Sequence, residues 1–378
     1  MRRISIEEFK TFEFGGAWKW ILNSSNCYDL GNTYEWNRCW WDAYFNFGVA
    51  KKEPFILSDA NNLKIIAIWP FFIRHRYGMR IIHWIGQADG MTTDYMGIIS
   101  AEEEKDKATR NLIKFLSENN TLWDVADLRI PSWAGLIEYL IKNLVLYGET
   151  FNLHWQTRVA DHAVVVEMPG DFEKYLATLG RKTRSDIRQY LRCAAKNDVE
   201  LKIYRGNEIS AWLPALFELS SLNWLIFHDV ETRQFMIDVV EALAAGKEDV
   251  IFAVLTHETK AIGSVLGFEN SGTCYLHPAG VLRHEVAGMS PGITMYAMIV
   301  ESLIDRGLKK LDLSPGLEDY KFRLGGHVEP VLQFLIWHHK SKINRWRLFD
   351  WIRRTKMNRL RISTMNSYRR IGAHNAIP

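Results

Sequence analysis

The stretch from Tyr275 to Gly326, YLHPAGVLRHEVAGMSPGITMYAMIVESLIDRGLKKLDLSPGLEDYKFRLGG, constrains this chain more than any other. Residues 275–282 read as extended, and a loop over 283–291 ends in Ser290-Pro291-Gly292. A helix is expected from Ile293 to Asp305, because Met295, Met298, Ile299, Leu303 and Ile304 recur on one face, and Gly307 stops it. Lys310–Leu313 reads as a short strand. Ser314-Pro315-Gly316 then turns the chain into a second short helix carrying Tyr320 and Lys321. A glycine-containing loop that opens a helix leaves backbone N–H groups directed outward, which suits a phosphate.

These residues resemble the acyl-CoA site of the GNAT acyltransferase superfamily. The nearer resemblance is to its CelD/BcsL-type branch, on Ser290-Pro291-Gly292 before the central helix and on Asp312, Gly316 and Tyr320-Lys321 after it. The resemblance extends over residues 15–340 and implies an acyl-CoA-dependent N- or O-acyltransferase. Its co-substrate would be acetyl-CoA or a longer acyl-CoA, with no metal. Its acceptor would be an amine or hydroxyl of a small molecule or saccharide, such as a cell-envelope polysaccharide precursor. Fem-type aminoacyltransferases share the fold and use aminoacyl-tRNA instead. A non-catalytic scaffold of an envelope polysaccharide synthase is a third reading.

Acyl transfer needs a cradle for the diphosphate, a polarised carbonyl, a base for the nucleophile and an acid for the leaving thiolate. The expected cradle is Ala287, Gly288, Met289, Ser290, Pro291 and Gly292, with Arg283 at its entrance. Gly288 and Gly292 let backbone approach closely, and Pro291 fits a first helical turn. The spacing is a looser Gly-x-x-x-Gly than the usual Q/R-x-x-G-x-G/A. By the resemblance Tyr320 is the acid. Asp312 is a candidate base, with Glu318 and His277 as rivals, and Lys321 would hold a substrate anion. Asp94-Tyr95 stands where the branch has an Asp-Tyr pair, and would contact the acceptor. Arg184, with Arg181 and Lys182 on a basic helix between the halves, would meet an acidic substrate or a CoA phosphate.

The order of elements occurs twice, so the fold expected is α+β. It consists of two tandem GNAT-like domains, each a mixed, largely antiparallel sheet flanked by helices. We expect an acceptor-side domain over 1–165, a donor-side domain over 166–340 and a basic tail over 341–378. In the first half, Trp36, Trp40, Tyr44 and Phe47 mark one helical face, Leu63–Ile73 reads as one strand, and Ser100-Ala101 offers no phosphate loop before Glu102.

Charge is uneven. Residues 340–370 hold eleven Lys/Arg against the single acid Asp350, net +10, which leaves the remaining chain at −7 of the overall +3. Trp346, Phe349, Trp351, Ile352, Met357 and Leu360 lie among those cations, a composition suited to an anionic leaflet. Nucleic-acid binding is disfavoured, since the excess is confined to one end. No apolar run approaches membrane-span length, and the start MRRISIEEFK lacks the apolar core of a signal peptide. The four cysteines form no C-x-x-C pair and the histidines no metal-ligand spacing, so the expectation is a reduced, cytoplasmic protein, peripheral at the inner face of the membrane.

Overall fold

The computed structural model describes residues 1–25, 30–46, 50–61, 64–87, 95–222, 227–244, 249–283, 285–339, 342–348 and 350. Its strands are β1 (Arg2–Arg3), β2 (Lys52–Pro54), β3 (Leu57–Asn61), β4 (Lys64–Trp69), β5 (Phe71–Arg76), β6 (Met79–Trp84), β7 (Ile99–Ser100), β8 (Val125–Pro131), β9 (His154–Glu167), β10 (Val199–Arg205), β11 (Val250–His257), β12 (Lys260–Asn270), β13 (Thr273–Val281), β14 (Lys310–Pro315) and β15 (His327–Trp337). Eleven of them form one sheet in the order β10-β11-β12-β13-β14-β9-β15-β8-β6-β5-β2, and β1-β3-β4-β7 form a second. The sheets are mixed and flanked by helices, as expected.

Each half contains one parallel strand pair joined by a helix crossover. In the first half β6 and β8 flank Lys105–Glu118, and in the second β13 and β14 flank Pro291–Asp305. The halves are then knitted by exchange. β9 runs beside β14, and β15 runs beside both β9 and β8. The expected strand over 63–73 is two strands. Pro70 has no N–H for a ladder, so β4 pairs with β3 and β7 while β5 passes into the large sheet. Residues 154–167 form one long strand, β9, with an irregularity opposite Val331/Leu332.

Helices Arg181–Lys196 and Pro291–Asp305 cover one face of the second half. Leu213–Ser221 and Val230–Ala244 cover the other, together with Tyr34–Tyr44 from the first half. The aromatic stripe on Tyr34–Tyr44 is core. Trp36 and Tyr44 pack on Phe235 at ring distances of 5.0 and 5.3 Å, and Tyr44 Oη donates to Thr232 Oγ1 at 3.0 Å. Burial of these rings therefore joins the two halves. Phe47 lies outside the described residues.

A buried polar group sits at the first half's parallel pair. Gln87 donates to the Asp127 carbonyl at 2.6 Å, and His83 Nδ1 lies 3.1 Å from the same oxygen. Burial holds the imidazole down at about 4, against a smaller opposing pull from Asp127. An unfolded histidine titrates near 6.5, so the unfolded chain takes the proton first as pH falls. The His83 contribution to stability is thus complete above about pH 6.5 and is lost progressively towards pH 4, by about 3 kcal/mol in total. Unfolding free energies from denaturant titrations at pH 7 and 4.5 should differ by about 2 kcal/mol less in His83→Asn, whose amide can donate to the Asp127 carbonyl.

Candidate active site

β13 and β14 pair over three positions only, Thr273 with Lys310, Cys274 with Leu311 and Tyr275 with Asp312. Beyond them β13 stays with β12, and β14 continues against β9, so the sheet opens between the two strands. Opposite the opening, β13 carries an irregularity: His277 and Pro278 lie between Leu276, paired to Gly267, and Ala279, paired to Val265. His277 is exposed and, with Tyr275, borders a cavity of about 20 Å³, room for about one water.

Side-chain alternation sorts the mouth of this opening. Leu311 and Leu313 enter the apolar cluster beneath Pro291–Asp305, which turns Asp312 to the opposite face. There Asp312 is 2% exposed. Its Oδ1 accepts from Tyr95 Oη at 2.8 Å and from the Ser314 N–H at 2.7 Å. Tyr95 comes from the first half. Its ring meets Trp133 at 5.0 Å and Tyr275 at 6.2 Å, both edge-on. The carboxylate is therefore positioned by both halves at once. Asp94 lies outside the described residues.

Ser314 was not singled out from sequence. It adopts φ 63°, a left-handed conformation that a serine holds only under constraint, and its Oγ donates across the opening to the Leu276 carbonyl at 3.3 Å. The constraint is Lys321. Its ammonium donates to the carbonyls of Ser314, Pro315 and Gly316 at 2.9, 3.0 and 3.3 Å, and Lys321 is 2% exposed rather than on the surface. Glu318 Oε2 lies 3.0 Å from the same nitrogen, a contact of charges without hydrogen-bond geometry. Gly316 sits at φ 119°, and a Cβ there would come within 2.6 Å of the Glu318 carboxylate. The φ is what favours glycine there, since the Glu318 carboxylate is the end of a flexible, part-exposed side chain that can move aside.

Tyr320, on the short helix Asp319–Arg323, stacks on Tyr296 of the central helix with centroids 5.4 Å apart. Burial pushes its phenol up to about 12, with Tyr296 pulling back and Glu318 adding to the rise. Burial also lifts the Tyr296 phenol well above its ordinary value. Tyr320 belongs to the helix-side cluster, so it and Asp312 approach the opening from opposite faces.

In the loop ahead of the central helix, Arg283, Ala287 and Gly288 are exposed, Met289 is buried, and Gly288 has φ 75° with nothing within 4 Å of where a Cβ would stand. Ser290 is the N-cap with no side-chain cap bond, and Pro291 occupies the first turn. A Cβ on Gly292 would touch only Val281, at 3.8 Å. The amide end of this fifteen-residue helix therefore has no side-chain cap, and an uncapped helix start beside small residues is chemically suited to an anion such as a diphosphate. Helix Arg181–Lys196 lies alongside, its Cys193 thiol 3.4 Å from the Ala287 carbonyl. Arg184 is nine residues from Cys193, about 13 Å along that helix, and so stands away from the loop. Arg192 and Lys196, exposed within a turn of Cys193, are nearer along the helix; neither was picked from the sequence, where nothing marks Cys193 as the residue that meets the loop.

The first half has the corresponding opening without the corresponding loop. β6 and β8 pair at Ile81–Val125 and Ile82–Ala126, but the turn before Lys105–Glu118 is Glu102–Glu104. Glu102 is engaged by Lys105 at 2.6 Å and by Tyr139 at 3.2 Å. Three carboxylates at that helix end disfavour a phosphate.

Residues 181–322 match the model of an acetyltransferase (GNAT) domain. That span contains the basic helix, the loop, the central helix, the β13–β14 opening and Tyr320. No curated protein matches the sequence. Among solved structures, FemX superposes with a TM-score of 0.57 at 9% identity, over 88% of this chain and 97% of FemX. The C-terminal domain of a putative lysylphosphatidylglycerol synthetase from Agrobacterium fabrum gives 0.52 at 12%, over 90% and 95%. L-PGS from Bacillus licheniformis gives 0.50 at 10%, over 90% and 96%. Identities this low show a shared GNAT-type fold.

Proposed function

We propose that the chain is an acyl-CoA-dependent N- or O-acyltransferase whose donor binds the second half and whose acceptor reaches Asp312 from the Tyr95 face. The observation that carries this reading is the β13–β14 opening, with a buried carboxylate at its mouth and an uncapped helix end beside it. Gly288, Ser290 and Gly292 would hold the diphosphate through backbone, with Arg283, Arg192 and Lys196 as nearby cations. When bound, the co-substrate supplies an activated thioester. Asp312, aligned by Tyr95 and Ser314, takes the proton of the acceptor amine or hydroxyl. Tyr320 remains protonated throughout the working pH range. A thiol titrates near 8.5, so full transfer from a phenol near 12 is uphill by about 5 kcal/mol. Tyr320 therefore acts as a hydrogen-bond donor to the departing sulfur. A saccharide precursor of the cell envelope is the acceptor suggested by the CelD/BcsL resemblance.

A second reading exchanges the donor for aminoacyl-tRNA. It is favoured by the exposed cations Arg188, Arg192 and Lys196, which share one row of helix Arg181–Lys196, although Arg188 is engaged by Glu173. Thermal shift separates the two. Acetyl-CoA at a hundred times its dissociation constant should stabilise the wild type by about 3 kcal/mol. Gly292→Trp, which fills the helix end, should abolish that shift, and Arg283→Ala should reduce it. A shift seen only with aminoacyl-tRNA would overturn the acyl-CoA reading.

A further inference from the structure

Behind Tyr275 and His277, the cavity they border is walled by hydrocarbon. Leu30 from the first half, Val240 and Leu243 from helix Val230–Ala244, and Leu266 and Phe268 from β12 enclose it. It lies where β13 departs from its ladder. His277 and Pro278 together face a single residue of β12, Leu266, so the pairing is interrupted there. Side-chain alternation puts the cavity on the Asp312 face. Cys274 and Leu276 enter the cluster beneath the central helix, which turns Tyr275 and His277 the other way. Tyr275 is paired with Asp312, about 5 Å away on the neighbouring strand. Its ring meets that of Tyr95, the donor to Asp312. The buried carboxylate and the mouth of an apolar hole therefore lie side by side.

The direction of the donor decides what this hole would meet. With the diphosphate at the amide end of Pro291–Asp305 and Tyr320 beside the departing sulfur, the thioester enters the opening from the helix side. The carbons beyond its carbonyl then emerge on the Asp312 face, next to Tyr275. An apolar wall offers few hydrogen-bond partners to a water or a saccharide hydroxyl, whereas it shields a hydrocarbon end from solvent. A volume of about 20 Å³ holds one group of water or methyl size.

We propose that this cavity receives the end of the donor's acyl group and restricts the donor to short chains, of about two to four carbons. The assignment rests on the acyl-CoA reading of the site. Because Leu30 comes from the first half and Val240 and Leu243 from the second, acyl length is read at a contact between the halves.

Dissociation constants of CoA and of acetyl-, butyryl-, hexanoyl- and octanoyl-CoA are measured by titration calorimetry on the full chain, on Leu243→Ala and on Val240→Leu. The ligand-free melting temperature of each checks folding. In the wild type, affinity relative to CoA should peak at or below butyryl and fall about tenfold or more by octanoyl. Leu243→Ala removes three carbons from the wall and should move the peak to hexanoyl, with a gain of about fourfold for each methylene accommodated. Val240→Leu adds one carbon and should weaken butyryl-CoA relative to acetyl-CoA by about as much. It decides the matter where Leu243→Ala does not fold. Affinity for CoA itself, which has no acyl group, should be the same in all three. Equal affinities along the series, or a length preference that neither variant moves, would overturn the assignment while the donor reading stands. A wild type that binds neither CoA nor any thioester loses the donor reading, and this assignment with it.

Discussion

Asp312→Asn is expected to lower turnover by about 10²–10⁴ while leaving the fold and the acetyl-CoA shift intact. The asparagine carbonyl can accept from Tyr95 Oη and from the Ser314 N–H as the carboxylate does, so both bonds that position it survive. What it cannot do is take a proton from the acceptor. Thiol release from acetyl-CoA, measured with amine and saccharide acceptors, reads the effect, and a denaturant midpoint within error of wild type shows that structure is not the cause. Asp312→Ala separates the two roles from the other side. It leaves a buried phenol and a buried amide without their acceptor, at about 1–3 kcal/mol each, and should lose stability as well as rate. Full turnover in Asp312→Asn would reduce the carboxylate to an anchor for Tyr95, and the base would have to be sought elsewhere around the opening.

Much of this architecture is legible in the sequence, because the central helix, the turn before it and the repeated order of elements all leave local marks. Met295, Ile299 and Leu303 mark a buried face by spacing alone. Ser290-Pro291-Gly292 marks a helix start by chemistry alone. What stays hidden is pairing at a distance. Nothing near Tyr95 or Asp312 announces a hydrogen bond between residues 217 positions apart. Nor does any periodicity reveal that β9 runs beside β14 while β15 runs beside β8, since an exchanged strand has the same alternation as an unexchanged one. Pro70 was a readable break inside an apolar run, and its missing N–H outweighed the hydrophobic continuity that made 63–73 look like one strand. Lys321 misleads for a different reason: a lysine beside a tyrosine on a short helix is usually solvated, and only the carbonyls gathered by the 314–316 turn make its burial tolerable.

Lys321→Met tests that last point and should produce the largest loss of stability of any variant considered, about 3–5 kcal/mol, the usual cost of removing one partner from a buried charged assembly. The methionine fills similar volume but donates nothing, so the carbonyls of Ser314, Pro315 and Gly316 lose their common donor, and Glu318 loses its cation. The turn they form includes Ser314 at φ 63° and Gly316 at φ 119°, conformations that relax once unheld. Relaxation there withdraws the Ser314 N–H from Asp312, so catalysis should fall along with the denaturant midpoint. A lysine that serves a substrate anion predicts a different pattern: an unchanged midpoint, an unchanged maximal rate and a raised KM. The two patterns do not overlap, and urea titration alongside steady-state kinetics distinguishes them. Because the ammonium reaches three carbonyls from one point, Lys321→Arg should not rescue, since a planar guanidinium is larger and presents its donors as a fork.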